Sequence, residues 1–206
     1  NRGKVLGFEE LEKLDSYGRY LDSDNDGICY RTYPGTHPEK GAYFTRGTSH
    51  DEYARYTEDG NINAETLMRL MRKFRTASEL VPPPIIEING EDSCGIIYYG
   101  SSKPAVLEAK DILKTKDINV DLMQIRSFPF NLDVWEFIAS HDRIYVVEQN
   151  RDSQMRTLIM AEGGISAEIL RPLVHFTGDP IEASYIVNKI SEREVNYKSH
   201  KNIKER

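Results

Sequence analysis

The stretch Cys94-Gly95-Ile96-Ile97-Tyr98-Tyr99-Gly100-Ser101-Ser102-Lys103-Pro104 changes abruptly from a strand pattern to a helix pattern. Its first six residues are apolar or small and stop at a glycine, which is typical of a buried strand. Ser102 and Pro104 then open a helix, because proline is favoured in the first turn, where its missing N–H costs no hydrogen bond. The stretch therefore predicts a strand that turns directly into a helix.

The same alternation of strand and helix patterns continues to Ser191. Apolar runs predict three more strands, at residues 120–125, 144–147 and 173–176. Further helices are predicted after Asn131, around residues 154–161, and from Asp179, with Pro180 and Glu182 completing a capping box. Strands that alternate with helices at this spacing predict an α/β fold, with a parallel sheet covered by helices on both faces in three layers.

Three consecutive prolines, Pro82–Pro84, divide the chain, because they hold it extended and cannot continue a helix. Residues 1–84 are poor in aliphatic side chains and are predicted to be irregular, apart from a short helix at Phe8–Leu14 and a longer one capped by Asn63. The apolar positions of the longer helix are predicted to pack against a partner surface: Leu67, Leu70, Met71 and Phe74. The α/β domain is expected at residues 85–191, with its regular part starting near Glu91, and a disordered polar tail at residues 192–206.

Composition excludes several classes of protein. The 206 residues are 39% hydrophobic and carry a formal net charge of -6, without the clustered basic surface that nucleic-acid binding requires, and no apolar run reaches membrane-spanning length. The only two cysteines, Cys29 and Cys94, are too few for an iron–sulfur cluster, fit a reducing cytoplasm, and are expected to be small buried residues. The chain starts with Asn1, which suggests a processed chain or an incomplete copy of a longer one.

Polar residues follow two of the predicted strands, at the sheet edge where α/β proteins bind ligands. Gly100-Ser101-Ser102 leads into a helix N-terminus and either cradles an anion or forms a tight turn with a serine cap. Glu148-Gln149-Asn150, continued by Arg151 and Asp152, either binds a ligand or another chain or forms a solvated loop with an N-cap. If the first and third strands are neighbours, the two segments form one patch. Since the patch has no nucleophile activated by a base, it is expected to be a docking surface on which Glu148, Gln149 and Asn150 are exposed.

Two further candidates lie before the prolines. Asp22, Asp24 and Asp26 imitate the start of an EF-hand loop, but Tyr33 replaces the bidentate glutamate, so the segment is either a weak site for a hard cation or a turn that its own carboxylates hold. The polar cluster from Arg46 to Glu52 includes His50 beside Asp51 and Glu52. A structural or interface role is favoured over acid–base catalysis there, because consecutive residues do not converge on one point and no nucleophile lies nearby.

Several long motifs resemble the alpha subunits of 2-oxoacid:ferredoxin oxidoreductases, notably the 2-oxoglutarate type. They run in order through nearly the whole chain, at residues 24–35, 43–52, 57–59, 99–102, 128–130 and 146–152. Two positions depart from the family pattern: Ser49 and Ser153 stand where glycine is expected, and each adds a Cβ at a possible turn.

The resemblance implies a thiamine diphosphate enzyme that decarboxylates a 2-oxoacid, here 2-oxoglutarate by preference, passes electrons through an iron–sulfur cluster to ferredoxin and forms an acyl-coenzyme A. In that family the catalytic alpha subunit begins with a pyrimidine-binding domain that carries a Tyr-Pro-Ile-Thr-Pro motif, which this sequence lacks. The diphosphate, Mg²⁺ and cluster sites belong to the beta subunit. Residues 1–84 would then be the tail of the pyrimidine-binding domain, and residues 85–191 a transketolase-C-like domain.

The resemblance also sets expectations for this chain by itself. It implies an architectural, subunit-contacting role with no catalytic residue and no cofactor of its own, partners in the beta subunit and the missing N-terminal domain, and an isolated chain that is inactive. Two other classes stay open: the C-terminal domain of another thiamine enzyme, of E1 beta or transketolase type, and a non-catalytic α/β binding module. The long motifs before the prolines argue against another thiamine enzyme.

Overall fold

The computed structural model describes residues 3–90 and 94–204, which form two compact units, Asn1–Val81 and Pro82–Arg206. The predicted start of the regular domain, Glu91, lies outside the described residues. No helix in the described ranges has the length and apolar content needed to cross a membrane.

The first unit contains two helices, α1 (Phe8–Glu12) and α2 (Gly60–Leu80), joined by turns and bends with little buried apolar surface. Helix α2 begins earlier than predicted, because the side chain of Asp59 accepts a hydrogen bond from Asn61 N at 2.8 Å and caps the helix. The prediction that Asn63 is the N-cap is therefore wrong. Asn63 lies within the first turns of α2, where its Oδ1 accepts a hydrogen bond from Ser49 at 3.0 Å.

The aspartate-rich loop packs directly against the backbone of α2 at Gly27. A Cβ at Gly27 would lie 2.2 Å from Lys73 N, and the residue has a φ of +80°, so only glycine fits there. Arg69 donates a hydrogen bond to Gly27 O at 3.0 Å, and Thr76 donates one to Asp26 O at 2.6 Å. These bonds hold the irregular loop on the helix without a hydrophobic core.

The second unit is built on a five-stranded sheet with the strand order β1-β3-β2-β4-β5. Its strands are β1 (Ile85–Glu87), β2 (Cys94–Tyr99), β3 (Val120–Ile125), β4 (Ile144–Glu148) and β5 (Leu170–Val174). Strands β2 to β5 run parallel, as predicted, whereas β1 pairs with β3 in the antiparallel direction. The sequence did not predict β1, since three residues directly after the prolines are too few to show a period.

Helices cover both faces of the sheet and confirm the prediction of three layers. They are α3 (Lys103–Lys114), α4 (Leu132–Ala139), α5 (Gln154–Gly163) and α6 (Ala183–Lys204). Val106 of α3 and Ile186 of α6 share one buried cluster with Ile96, while Phe137 of α4 and Ile159 of α5 share another on the opposite face. Ile97 of β2 belongs to the second cluster, so the successive residues Ile96 and Ile97 point into different cores, as a strand buried on both faces requires.

The ends of several elements differ from the predictions. Strand β5 starts at Leu170, three residues before the predicted run, because its edge position tolerates Pro172, which lacks an N–H for a sheet ladder. A 3₁₀ turn at Gly100–Ser102 precedes α3, and the side chain of Ser102 makes no cap hydrogen bond.

Helix α6 departs from the prediction at both ends. It starts at Ala183 rather than in a capping box at Asp179, and Ile186 N donates to Glu182 O at 3.4 Å. It also continues to Lys204, so the prediction of a disordered tail from residue 192 is wrong. The physical reason is Glu194, which is only 2% exposed and forms an ion pair with Arg143 at 2.9 Å.

Candidate functional site

The carboxyl ends of β2 and β4 lie side by side, because these two strands are neighbours in the sheet, which is the condition that the sequence analysis left open. Tyr98 pairs with Val147 in parallel register, which brings the turn after β2 next to the loop after β4. Gln149 bridges the two segments, because its Nε2 donates to Ser101 Oγ at 2.9 Å. Its Oε1 accepts a hydrogen bond from Ile181 N at 3.2 Å, so a single amide joins both strand ends to the segment that precedes α6.

Glu148 does not emerge on this edge, and the expectation that it is exposed for docking is wrong. Its side chain is fully buried. The carboxylate accepts hydrogen bonds from Met155 N at 2.8 Å and Arg156 N at 2.9 Å, two of the N–H groups that a helix start leaves without partners. Asn150 Nδ2 donates a third at 2.7 Å. Glu148 therefore caps α5 from the end of the neighbouring strand.

The rest of the loop continues this cap. Asn150 Oδ1 accepts hydrogen bonds from Asp152 N at 3.1 Å and Gln154 N at 3.2 Å. Asn150 Nδ2 also approaches Tyr99 OH at 3.4 Å, and burial, followed by the charge of Glu148, raises the pKa of that phenol. These hydrogen bonds show the N-cap of the second alternative, and binding of a ligand or another chain by this loop stays a prediction.

The turn after β2 is a tight link between β2 and α3. Gly100 adopts a φ of +56°, and Ser102 is 2% exposed. In the part of the chain that the structure describes, the hydroxyl contacts of Ser101 and Ser102 are with the Gln149 amide, which cannot act as a general base. Gly100 and Ser101 remain exposed at this edge, and neither serine is activated as a nucleophile.

The aspartates of the EF-hand-like loop are bound by cationic side chains. Lys4 Nζ lies 2.6 Å from Asp24 and 2.7 Å from Asp26, and these hydrogen bonds raise the pKa of Lys4 against the opposing effect of burial. Asp22 accepts hydrogen bonds from Gly27 N at 2.9 Å and from Arg72 at 3.1 Å. No group of three His, Cys, Asp or Glu that could hold a metal ion occurs within residues 3–90 and 94–204. The loop therefore matches the turn alternative.

The cluster from Arg46 to Glu52 does not converge on one point. The His50 ring stacks on Tyr20 with the ring centroids 3.8 Å apart. Asp51 Oδ1 accepts hydrogen bonds from Tyr53 N at 2.9 Å and Arg55 N at 2.8 Å, which closes a turn. Glu52 contributes its backbone carbonyl to Tyr20 N at 2.9 Å, and the guanidinium of Arg46 lies over the Tyr56 ring. The arrangement suits a folded loop and offers no acid–base pair.

Sequence reasoning missed two buried pairs of polar side chains at the amino edge of the sheet. His141 Nε2 lies 3.1 Å from Asp121 Oδ2, and Arg143 Nε lies 2.9 Å from Glu194 Oε2. Tyr145 OH also donates to Glu194, at 2.8 Å. The only signal in the sequence was the charged Asp121 near the start of a mostly apolar strand pattern. Both pairs are enclosed between the sheet and its helices, which gives them a structural role.

Comparisons with known proteins confirm the resemblance that the motifs indicated. The chain is 28% identical over 200 residues to the alpha subunit of 2-oxoacid:ferredoxin oxidoreductase 2 from Aeropyrum pernix, covering 93% of this chain and 29% of that subunit. It is 28% identical over 124 residues to a 2-oxoacid:ferredoxin oxidoreductase alpha subunit from Saccharolobus solfataricus, covering 58% and 20%. The chain thus spans less than a third of either relative.

A solved structure gives the same picture of the fold. The 2-oxoglutarate:ferredoxin oxidoreductase from Magnetococcus marinus, determined with 2-oxoglutarate, coenzyme A and succinyl-CoA bound, matches 92% of this chain and 32% of its own chain. The TM-score is 0.77 at 23% identity, which supports the α/β fold class. No protein-family model matches the chain.

Proposed function

We propose that this chain is a carboxyl-terminal part of the alpha subunit of a thiamine diphosphate-dependent 2-oxoacid:ferredoxin oxidoreductase. The complex would decarboxylate a 2-oxoacid, 2-oxoglutarate by preference, reduce ferredoxin and release an acyl-coenzyme A in the cytoplasm. The observation that supports this most is the similarity over 200 residues to an alpha subunit, because it spans both compact units and includes the irregular first unit.

Within the complex, this part of the subunit supplies architecture and contacts. At the carboxyl edge of the sheet, Glu148, Gln149 and Asn150 form hydrogen bonds within the chain. Few of their polar atoms therefore remain to bind a substrate. The two cysteines cannot supply the four thiolates of a cluster. Thiamine diphosphate, Mg²⁺ and the cluster would therefore be held by other parts of the complex, among them the beta subunit, and the isolated chain would be inactive.

The exposed apolar face of α2 is proposed as the contact with the remainder of the alpha subunit. Leu67, Met68, Met71 and Phe74 are each more than half exposed and lie on one side of the helix. The opposite side packs on the aspartate-rich loop through Arg69 and Thr76. More than two thirds of each relative's length lies outside the matched part. This remainder includes enough polypeptide to cover an exposed apolar helix face.

The test is to tag the chain in its own cells, purify the complex that it forms, and measure viologen reduction by 2-oxoacids with coenzyme A. We expect reduction with 2-oxoglutarate to exceed that with pyruvate, and an oxidoreductase beta subunit to copurify. A chain that copurifies with no such subunit and supports no reduction with any 2-oxoacid is a separate binding module, and the proposal is then wrong.

A matched pair of variants tests the role of α2. Met71→Gln places an amide on the apolar face, and we expect it to reduce the yield of the complex. Glu65→Gln changes an exposed residue elsewhere on the same helix and should leave the yield unchanged. Equal yields for the two variants would mean that the apolar face of α2 is exposed to solvent in the complex and contacts no other part of it.

A further inference from the structure

A cavity of about 320 Å³ in the first unit is lined by five cationic side chains: Lys4, Arg19, Arg31, Arg69 and Lys73. None of its lining residues in the described part of the chain is a carboxylate, although the whole chain carries a net charge of -6. The cationic residues are far apart in the sequence, so no sequence motif predicts that they come together. The fold gathers them around the loop before α2.

Three of these charges lack a carboxylate partner among the described residues. Arg69 donates to the neutral carbonyl of Gly27, and the Arg19 guanidinium lies over the ring of Tyr20, 5.2 Å from its centroid. The Nε of Arg19 is buried without a hydrogen-bond partner in the described ranges. The Lys73 ammonium forms neither an ion pair nor a hydrogen bond with any described side chain. Lys4 differs, since Asp24 and Asp26 neutralise it.

The Cys29 thiol, which also lines the cavity, lies in the field of these charges. Burial, together with the charge of Asp22, raises the pKa of Cys29, and the charges of Arg69, Arg19 and Lys73 act in the opposite direction. The cations that would attract a bound anion thus partly offset the effect of burial on this thiol. The cysteine provides a natural reporter inside the cavity.

We propose that this basic cavity binds the diphosphate group of a small phosphorylated molecule. Guanidinium groups bind phosphate oxygens through pairs of parallel N–H···O bonds, and an ammonium adds a compact charge. A cavity of this volume is at the lower end of the range for small-molecule sites, which suits a diphosphate with part of the molecule that carries it. The proposal does not depend on the oxidoreductase assignment.

The test is calorimetric titration of the full 206-residue chain with inorganic pyrophosphate and with ADP at low salt. We expect saturable binding of both, weakened by added salt. Lys73→Gln should weaken binding by about tenfold or more, because it removes one charge-assisted contact. Lys116→Gln removes one exposed positive charge outside the cavity and should bind as the parent chain does.

Alkylation of Cys29 by iodoacetamide tests whether the ligand binds in this cavity. Pyrophosphate should slow the modification of Cys29 at the same concentrations at which it binds, while Cys94, which is fully buried, stays unmodified throughout. Three results would overturn the proposal: no saturable binding, equal losses for Lys73→Gln and Lys116→Gln, or binding that leaves Cys29 alkylation unchanged. If malonate displaces ADP as well as pyrophosphate does, the cavity binds carboxylates, and the proposed specificity for a diphosphate is wrong.

Discussion

Glu148 belongs to strand β4 by its backbone and to the start of helix α5 by its side chain. A carboxylate is suited to a helix N-terminus, because it satisfies N–H groups that have no partner within the helix and it faces the positive end of the helix dipole. The buried position strengthens these bonds, since little water competes for them. A residue that reads in the sequence as the first member of a polar surface loop is thus part of the folded core.

Replacing Glu148 with alanine should lower the free energy of unfolding by about 1–3 kcal/mol, because it leaves two partly buried helix N–H groups without this acceptor. Urea unfolding followed by circular dichroism measures this. Glu168→Ala, at an exposed glutamate in the same unit, is the control and should change stability little. If both variants unfold at the same urea concentration, the Glu148 cap contributes no stability.

The two cysteines should respond differently to pH. Burial raises the pKa of Cys94 to about 12, whereas an unfolded thiol titrates near 8.5. The neutral thiol is therefore favoured in the folded state, and this contribution is complete below pH ~8.5 and is lost as the pH rises towards the folded value. Between pH 8 and pH 10 the loss is about 2 kcal/mol. Urea unfolding at both pH values should show a smaller loss for Cys94→Ala than for Cys29→Ala, and equal losses would contradict the buried thiol.

At the scale of elements, Ser49 and Ser153, at the two positions where the family resemblance led us to expect glycine, behave differently. Ser153, at the start of α5, has φ 51° and ψ 49°, a left-handed conformation that costs a non-glycine residue about 1 kcal/mol. Ser49 does not have a positive φ, and its hydroxyl donates a hydrogen bond to Asn63 in α2. We expect Ser153→Gly to raise the urea midpoint and Ser49→Gly to lower it. A lower midpoint for Ser153→Gly would show that its side chain outweighs the backbone strain.

The long helix α6 is anchored to the sheet through Glu194. Its carboxylate bonds to Arg143 and Tyr145, and all three side chains are at most 7% exposed. Glu194→Ala should cost about 3–5 kcal/mol, because it removes the carboxylate that pairs with the buried Arg143 guanidinium. Thermal and urea unfolding measure the loss, and Glu192→Ala, at an exposed site in the same helix, is the control. Similar stabilities for the two variants would mean that Arg143 finds another acceptor.

How far the sequence predicts the structure depends on the range over which each signal acts. Strand β2 and helix α3 were predictable, because strand and helix periods are local properties of the chain. The start of α6 was not, since Asp179 and Pro180 carry a local cap signal that the helix does not use. The burial of Glu148 was also beyond a local pattern, because its partners lie seven and eight residues further on, in a helix that the fold turns back onto it. The basic cavity depends on contacts across some 70 residues, from Lys4 to Lys73.

At the scale of the whole molecule, the two units differ in how they are held together. The second unit has two hydrophobic clusters, one on each face of its sheet. In the first unit, the buried apolar side chains among the described residues are Leu11 and Ala54. The first unit is held together largely by polar contacts, such as the hydrogen bonds of Arg69 and Thr76 to the aspartate-rich loop. Since each hydrogen bond adds little net free energy, the first unit has far less stabilisation to offset its conformational entropy.

Hydrogen exchange of the full chain should therefore be fast before Pro82 and slow in the strands after it. The slowest amides should lie in β2 and β4, which have neighbours on both sides in the sheet and are buried on both faces. Helix α2 should exchange faster than α3, although it is longer, because none of its residues is buried whereas Val106 and Leu113 of α3 are fully buried. Mass spectrometry of peptic fragments resolves the two units. Equal protection on both sides of Pro82 would mean that the first unit is stable by itself, and the apolar face of α2 would then not need a partner for folding.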